Sequence, residues 1–294
     1  MIDKLEMFIA LAKHEHFGRA AQECGVTQPS LSAAIKQLED QLGVMLVWRG
    51  SRFRGLTPEG QRVLQWARQI VGDARTMRED MRAVKQGLSG RLRLAVIPTA
   101  LAMVPRLTAP LAAAHPNLHF TIQSGNSSEI LQLLDNLGID AGLTYLENEP
   151  LGRVITVPLY EEDYHLVTRS DAALAGRTRV TWADLGEVPL CLLTPDMQNR
   201  RIINQHLSLT SGAAPAPRIE SNSVVTLISH VMQGDWATIL PIQTADLFLR
   251  AGDLVAVPIS DPAARHRVGL VAPHREPHTP VLEALLDAAR KLSV

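Results

Sequence analysis

The chain has 294 residues, 46% of them hydrophobic and 20% charged, which suits two or three compact units and excludes a disordered chain. A formal net charge of −1 excludes a whole-molecule field drawing the chain to nucleic acid or membrane. The charge is unevenly spread: residues 1–90 hold 13 Lys/Arg against 10 Asp/Glu, the remainder 16 against 20, a mild pointer to an N-terminal nucleic-acid contact.

The first 90 residues read as almost wholly helical. Leu5, Phe8, Ile9 and Ala12 recur at helical spacing. A short second helix is expected from about Phe17 to Cys24, with Gly25 in the left-handed position after it. Thr27 caps a third helix that tolerates Pro29 in its first turn, buries Leu31, Ile35 and Leu38, and ends at Gly43. Leu46–Leu56 flanks a Gly-Ser turn with β-prone pieces, as a small hairpin or wing would. Thr57 and Pro58 then start a long helix. Along it Val63, Ala67, Ile70, Ala74, Met77, Met81, Val84 and Leu88 form a heptad seam, more apolar length than the small preceding domain can cover, so pairing with another helix is expected.

From about residue 91 strand and helix patterns alternate. Strands are expected at Leu92–Val96, at Leu118–Ile122, and near 140–145, 153–158, 163–168, 188–193, 218–221, 236–240, 254–257 and 267–272. A last helix is expected over about 280–292. That alternation implies an α/β domain built on parallel sheets.

In the first part, a helix, a sharp turn and a second helix opening on small polar residues form a helix-turn-helix. The start of such a second helix faces base edges in the major groove, where polar groups must meet donors and acceptors on bases and phosphates. Thr27 and the free N–H groups beside it suit a phosphate. Gln28 suits a bidentate pair to adenine, with Ser30, Ser32 and Lys36 on or near the same face. Pro29 and Ala33 offer apolar contact to a thymine methyl. Arg49, Arg52 and Arg54 of the wing are placed to meet the backbone or a narrow minor groove.

On these residues the chain resembles the LysR-type transcriptional regulators. The resemblance is carried by Phe8, Phe17, Ala20-Ala21, Thr27-Gln28-Pro29-Ser30-Leu31-Ser32, Ile35, Leu38-Glu39, Leu42-Gly43, Leu46, Arg49 and Leu56-Thr57-Pro58-Glu59-Gly60. Two positions depart from the family pattern: Val47-Trp48 stands where a phenylalanine is frequent, and Ala33 where a longer polar residue is common. The second departure shifts base readout onto Gln28, Ser32 and Lys36.

The resemblance implies an all-α winged helix-turn-helix domain over 1–58, a linker helix for dimerisation over 59–89, and an α/β two-lobed effector domain over 90–294 that resembles a periplasmic binding protein. Lobe I would take about 90–161 and 267–294, and lobe II about 162–266, with crossings near Glu161–Asp163 and Arg265–Arg267. It also implies double-stranded DNA as partner, read as an interrupted inverted repeat by a homodimer or a homotetramer that bends it, with RNA polymerase as a further partner.

Ligands of open α/β folds sit at strand C-ends facing helix starts. Pro98, Thr99 and Ala100, then Ser127 and Ser128 beside Asn126, then Asn199 and Arg200 in the run from Thr194, occupy such places. Hydroxyls and amides at helix starts suit a small anion or carboxylate, although Thr99, Ser127 and Ser128 also suit plain helix caps and the arginines a solvated surface. Ser223 is a weaker candidate.

Two other classes compete. One is an α/β enzyme, the other a small-molecule-binding protein whose N-terminal region only oligomerises. The chain has no phosphate-binding Gly-Lys loop, no Gly-x-Ser-x-Gly elbow and no His/Cys metal spacing, so no catalytic residue, cofactor or metal is expected. His14 and His16 read as solvated polar residues. Cys24 and Cys191 lie far apart in apolar sequence, as reduced thiols do. The charged N-terminus is no signal peptide, and no apolar run nears the ~18 residues of a membrane helix, so a cytoplasmic protein with no membrane partner is expected.

Overall fold

A computed structural model describes residues 1–48, 53–147, 150–211, 216–250, 252–260 and 263–292. The first three helices are α1 (Ile2–His14), α2 (Phe17–Glu23) and α3 (Gln28–Leu42). Their apolar stripes meet in one core, where Phe8, Leu11, Leu31 and Leu38 are fully buried. Two histidines expected to be solvated, His14 half-exposed and His16 exposed, also hold the α1–α2 corner. His16 caps α2, its Nδ1 accepting from the Gly18 and Arg19 amides at 3.1 and 3.3 Å, and the His14 ring bonds Glu23. The turn after α2 closes with Gly25 at φ +66 and the Val26 amide on the Ala21 carbonyl, 3.0 Å.

The strands of the hairpin meet through a bridge between Val47 and Leu56 and a bond from the Trp48 amide to the Gly55 carbonyl, 3.1 Å. A buried carboxylate holds its base: Glu39 of α3 accepts from the Leu46 and Val47 amides at 2.7 and 3.2 Å. Thr57 donates to the Met45 carbonyl and caps α4 (Pro58–Gln86). Gly60 then packs on the Leu46 carbonyl so closely that a Cβ would overlap its oxygen.

The seam expected on α4 divides. Of the seam, Ala67 is buried in the N-terminal core and Val63 packs partly against it, alongside Leu64 and Val71 from outside the seam, so the start of the helix is covered by its own domain. Ile70, Met77, Met81 and Val84 stay exposed, joined by Trp66. Leu88 lies beyond the helix end and packs against the second domain.

The second domain runs β1 (Gly90–Val96), a 3-10 turn Pro98–Met103, α5 (Val104–Ala114), β2 (Leu118–Ser124), α6 (Ser127–Asp135), β3 (Ala141–Tyr145) and β4 (Val154–Arg169). Then come β5 (Val180–Thr181), a 3-10 turn Ala183–Leu185, β6 (Cys191–Leu193), α7 (Gln198–Ser211), β7 (Ile219–Ser221), α8 (Val224–Gln233) and β8 (Thr238–Pro241). The chain ends with α9 (Ile242–Leu249), β9 (Leu254–Ser260), β10 (Arg265–Pro273) and α10 (Pro280–Leu292).

The strand order β2-β1-β3-β10-β4-β9-β5, with β8 also on β4, is mixed rather than parallel. β1, β2 and β3 run parallel, as do β6 with β7 and β5 with β9, but β10 runs antiparallel to both β3 and β4. The two strands expected at 153–158 and 163–168 form the single 16-residue β4. Its first ten residues pair with β10 and its last six with β8 and β9, so one strand serves both lobes. Tyr160, Glu162 and Tyr164 share one face of it by the two-residue period of a strand.

Candidate nucleic-acid interface and interlobe site

Thr27 opens α3 in extended conformation and accepts from the Ser30 amide at 3.3 Å, with the two hydroxyls 2.8 Å apart. Gln28, Pro29, Ser30, Ser32, Ala33 and Lys36 are all exposed, together with Thr27, while Leu31, Ile35 and Leu38 hold the opposite face in the core. One helix therefore anchors by its apolar stripe and presents a polar start to solvent. Arg54 is exposed on the hairpin, whereas Arg49 and Arg52 lie outside the described residues. Phe53 packs edge-on against Phe17, centroids 6.4 Å apart, tying the hairpin to α2. Val47 is buried and Trp48 exposed, so the valine turns inward at this departure from the family pattern.

In the second domain Pro98, Thr99 and Ala100 are buried in the 3-10 turn after β1. Thr99 caps no helix. Its carbonyl accepts from the Thr244 hydroxyl at 2.5 Å, and its hydroxyl lies 3.5 Å from that of Tyr145. The cap of α6 is Asn126 rather than either serine, with Glu129 closing a capping box. Ser127 is buried with no partner for its hydroxyl among the described residues, and Ser128 is exposed. The Asn126 amide also donates to Asp196 at 3.1 Å, a bond between lobes. Around it a cavity of about 340 Å³ is lined by Pro98, Leu101, Gly125, Glu129, Met197 and Ser223. Ser223 caps α8.

Arg200 is neither solvated nor open to a ligand anion. Only 5% exposed, its guanidinium donates to the Leu193 carbonyl, Glu220 and Asn204, each at 2.8 Å. Arg201 is engaged by Gln198 and the Asp196 carbonyl. Asn199, 3% exposed, makes no ordinary hydrogen bond through either amide atom, though it faces the Tyr164 hydroxyl.

The group at the centre carries no motif in the sequence. Glu162 is fully buried where β4 crosses between the lobes. Its Oε2 accepts from the Tyr145 hydroxyl at 2.6 Å and from that of Tyr164 at 3.4 Å. Burial pushes its carboxyl up to about 7, against the opposing pull of those hydroxyls. His266, opposite Glu162 on β10, lies edge-on to Tyr145 and Tyr164. Burial pushes the imidazole down, so it is neutral near pH 7. A lone Glu in a strand flanked by acids gives no sequence signal, because its significance comes only from burial among tyrosines.

Residues 2–61 match the bacterial regulatory helix-turn-helix proteins of the lysR family, and residues 85–293 match the LysR substrate binding domain. The chain belongs to the LysR family. It is a DNA-binding transcriptional regulator with a C-terminal effector-binding domain, not an enzyme. Among LysR relatives, the DNA-binding transcriptional dual regulator OxyR of Escherichia coli strain K12 is 31% identical over 98% of this chain and 94% of its own. The regulator CfxR of Cupriavidus necator is 30% identical over 85% and 78%. A full-length OxyR of Pseudomonas aeruginosa, carrying a single cysteine-to-aspartate substitution, superposes with a TM-score of 0.75 at 26% identity, over 99% and 97% of the two chains. The LysR-type regulator CbnR complexed with its target DNA shares the fold, with a TM-score of 0.57 at 23% identity over 99% of each chain. Among the described residues no helix is long and apolar enough to cross a membrane.

Proposed function

We propose that this LysR-type regulator reads an interrupted inverted repeat through the exposed start of α3 in each of two paired chains. A small molecule held between the lobes of the effector domain changes how the pair sits on DNA. Gln28, Ser32 and Lys36 face base edges. Thr27 and Ser30 face phosphates, Pro29 and Ala33 a thymine methyl, and Arg49, Arg52 and Arg54 the flanking backbone. The observation that carries this reading is the polarity of α3: every residue assigned to DNA on it is exposed, and its apolar stripe is spent on the core. Two chains pair through the exposed stripe of α4, and a pair of such dimers forms the tetramer. RNA polymerase is the further partner, and the cytoplasm, where the DNA is, the working compartment. In the effector domain Pro98, Thr99 and Ala100, Ser127 and Ser128, and Asn199 border the interlobe site, while Arg200 shapes it through Glu220 and the Leu193 carbonyl.

Peroxide sensing, named for several relatives, is not carried over. Reaction with peroxide needs an accessible thiolate. Burial pushes the Cys191 thiol up to about 11, and burial beside Glu23 and Glu6 raises that of Cys24.

Footprinting on the chain's own upstream intergenic DNA tests the reading: two half-sites one helical turn or more apart are expected, unchanged by hydrogen peroxide. Gln28→Ala is expected to cost about 1–3 kcal/mol at the preferred site and to relax one base position. Unchanged discrimination in a gel-shift competition would remove Gln28 from base readout.

A further inference from the structure

The chemistry at the lobe junction bears on what the effector is. Five elements bring side chains there: Thr99 from the turn after β1, Tyr145 from β3, Glu162 and Tyr164 from β4, Asn199 from α7 and His266 from β10. Thr99, Tyr145, Glu162, Tyr164 and Asn199 are each 3% exposed or less. Glu162 uses one carboxylate oxygen on the two tyrosine hydroxyls, which also approach each other to 3.3 Å. Its other oxygen, Oε1, makes no ordinary hydrogen bond among the described residues, nor does either amide atom of Asn199, although the Thr99 and Tyr160 hydroxyls also bear on the carboxyl and Asn199 on the Tyr164 hydroxyl. Buried polar groups in native proteins are paired, so orphans that converge on one junction mark a place where a ligand supplies the missing partners.

The signs of charge decide which ligand. No uncommitted cation among the described residues faces the junction: Arg200 and Arg201 are engaged elsewhere in lobe II. Arg265 and Arg267 pair with Asp163 and Glu147 on the outside, and His266 is held neutral. Once Glu162 is ionised, above about pH 7, a second carboxylate or phosphate brought against it would meet like charge at depth with no free cation to offset it. An N–H cation meets the opposite: a carboxylate oxygen, an amide carbonyl and two tyrosine hydroxyl oxygens, acceptors of the kind that bind ammonium and amidinium groups. The bond between Asn126 and Asp196 spans the lobes, so entry requires them to part and binding draws them together.

We propose that the effector is a small organic cation bearing N–H donors, an alkylammonium or an amidinium, held between the lobes by the Glu162 carboxylate and the Asn199 side-chain carbonyl beside the hydroxyls of Tyr145 and Tyr164. This rests on the reading that the interlobe site is the effector site, and it replaces the anion expected from the helix starts.

The test uses the full chain and defined probes at millimolar concentration: propylammonium and acetamidinium as cations, propionate and inorganic phosphate as anions, propionamide as the neutral control. Thermal shift and calorimetry are expected to show stabilisation by a cation, strengthening between pH 6 and pH 8. Glu162→Gln should weaken cation binding at least tenfold while its circular dichroism and melting remain those of a folded chain, and Asn199→Ala should weaken it by a smaller factor. Binding of propionate or phosphate that Asn199→Ala removes would overturn the cationic class and leave the interlobe site standing. Tighter binding of propionamide than of either cation overturns it in the same way. Cation stabilisation untouched by both variants, or none from any probe, overturns the proposal, and in the first case the interlobe reading falls with it.

Discussion

At the scale of single residues, the protonation of Glu162 has a sign that follows from its burial. An exposed carboxyl of this kind titrates near 4.5, and this one in the folded chain at about 7. Between those values the folded chain keeps a proton that the unfolded chain releases, so the stabilisation is full below about pH 4.5 and drains away as pH rises through 7. The groups around it are Tyr145, Tyr160 and Tyr164, which stay neutral here, His266, and the outer pairs Asp163–Arg265 and Glu147–Arg267. Glu162→Gln keeps the shape and removes the titration. Denaturant unfolding of the two proteins at pH 5 and pH 8 should therefore differ in slope, the wild type losing on the order of 3 kcal/mol that the variant keeps. Equal slopes would mean that the carboxyl is hydrated. At this scale the sequence was legible where a residue acts by being exposed at a helix start, as Gln28 and Ser32 do. It was not legible where meaning comes from enclosure: Glu162 and the saturated Arg200 are both charged residues in charged stretches, and only packing separates them.

At the scale of elements, the hairpin and the long helix each depend on one close fit. Gly60 sits in the first turn of α4 under the Leu46 carbonyl, with no room for a Cβ. Alanine in a helix is ordinarily better than glycine by about 1 kcal/mol; here the clash is with backbone, which Glu39 and Thr57 hold in place, and it wins. Gly60→Ala should lower the stability of the N-terminal domain by about 2 kcal/mol and loosen the hairpin, read as an earlier melt and weaker DNA binding together. Farther along α4, Trp66, Ile70, Met77, Met81 and Val84 lie exposed on a helix whose other apolar residues are already covered. Met77→Asp places a charge in that stripe and should turn the assembly to monomers in sedimentation, with half-site binding only. The helix-turn-helix was readable because its caps and stripes are local. The sheet was read less well, as the parallel expectation took strand-helix alternation to continue through β4 and β10. Those two strands form an antiparallel bridge between lobes, whose pairing joins residues far apart in the chain, as Asp163 and Arg265 are; no local pattern encodes that.

At the scale of the whole molecule, a signal from between the lobes has to reach α3 through the joint where α4 lies on lobe I. Asp140, just before β3, is the centre of that joint. One of its oxygens meets Arg75 of α4 and Arg93 of β1, each at 3.0 Å, and the other accepts the Arg93 amide at 2.8 Å. One turn toward the N-terminus, the Arg275 guanidinium lies against Gly72 where any side chain would displace it, and Arg68 donates to Asn136 at 2.7 Å. These contacts fasten the linker to lobe I. A ligand alters DNA binding only by the free energy with which it favours one arrangement over another. Asp140→Ala leaves Arg75 with only Glu79 and frees the β1 side of the joint, at a cost of about 1–3 kcal/mol by the usual worth of a partly buried charged hydrogen bond. The N-terminal domain's own contacts are untouched, so affinity for an isolated half-site should stay within about twofold. Amide exchange over Arg68–Thr76 should quicken, and any ligand-dependent change in footprint should shrink or vanish. Exchange as slow as in the wild type, with the ligand response intact, would place the coupling elsewhere, in the Gly72–Arg275 contact, where Gly72→Leu is the substitution that opens it.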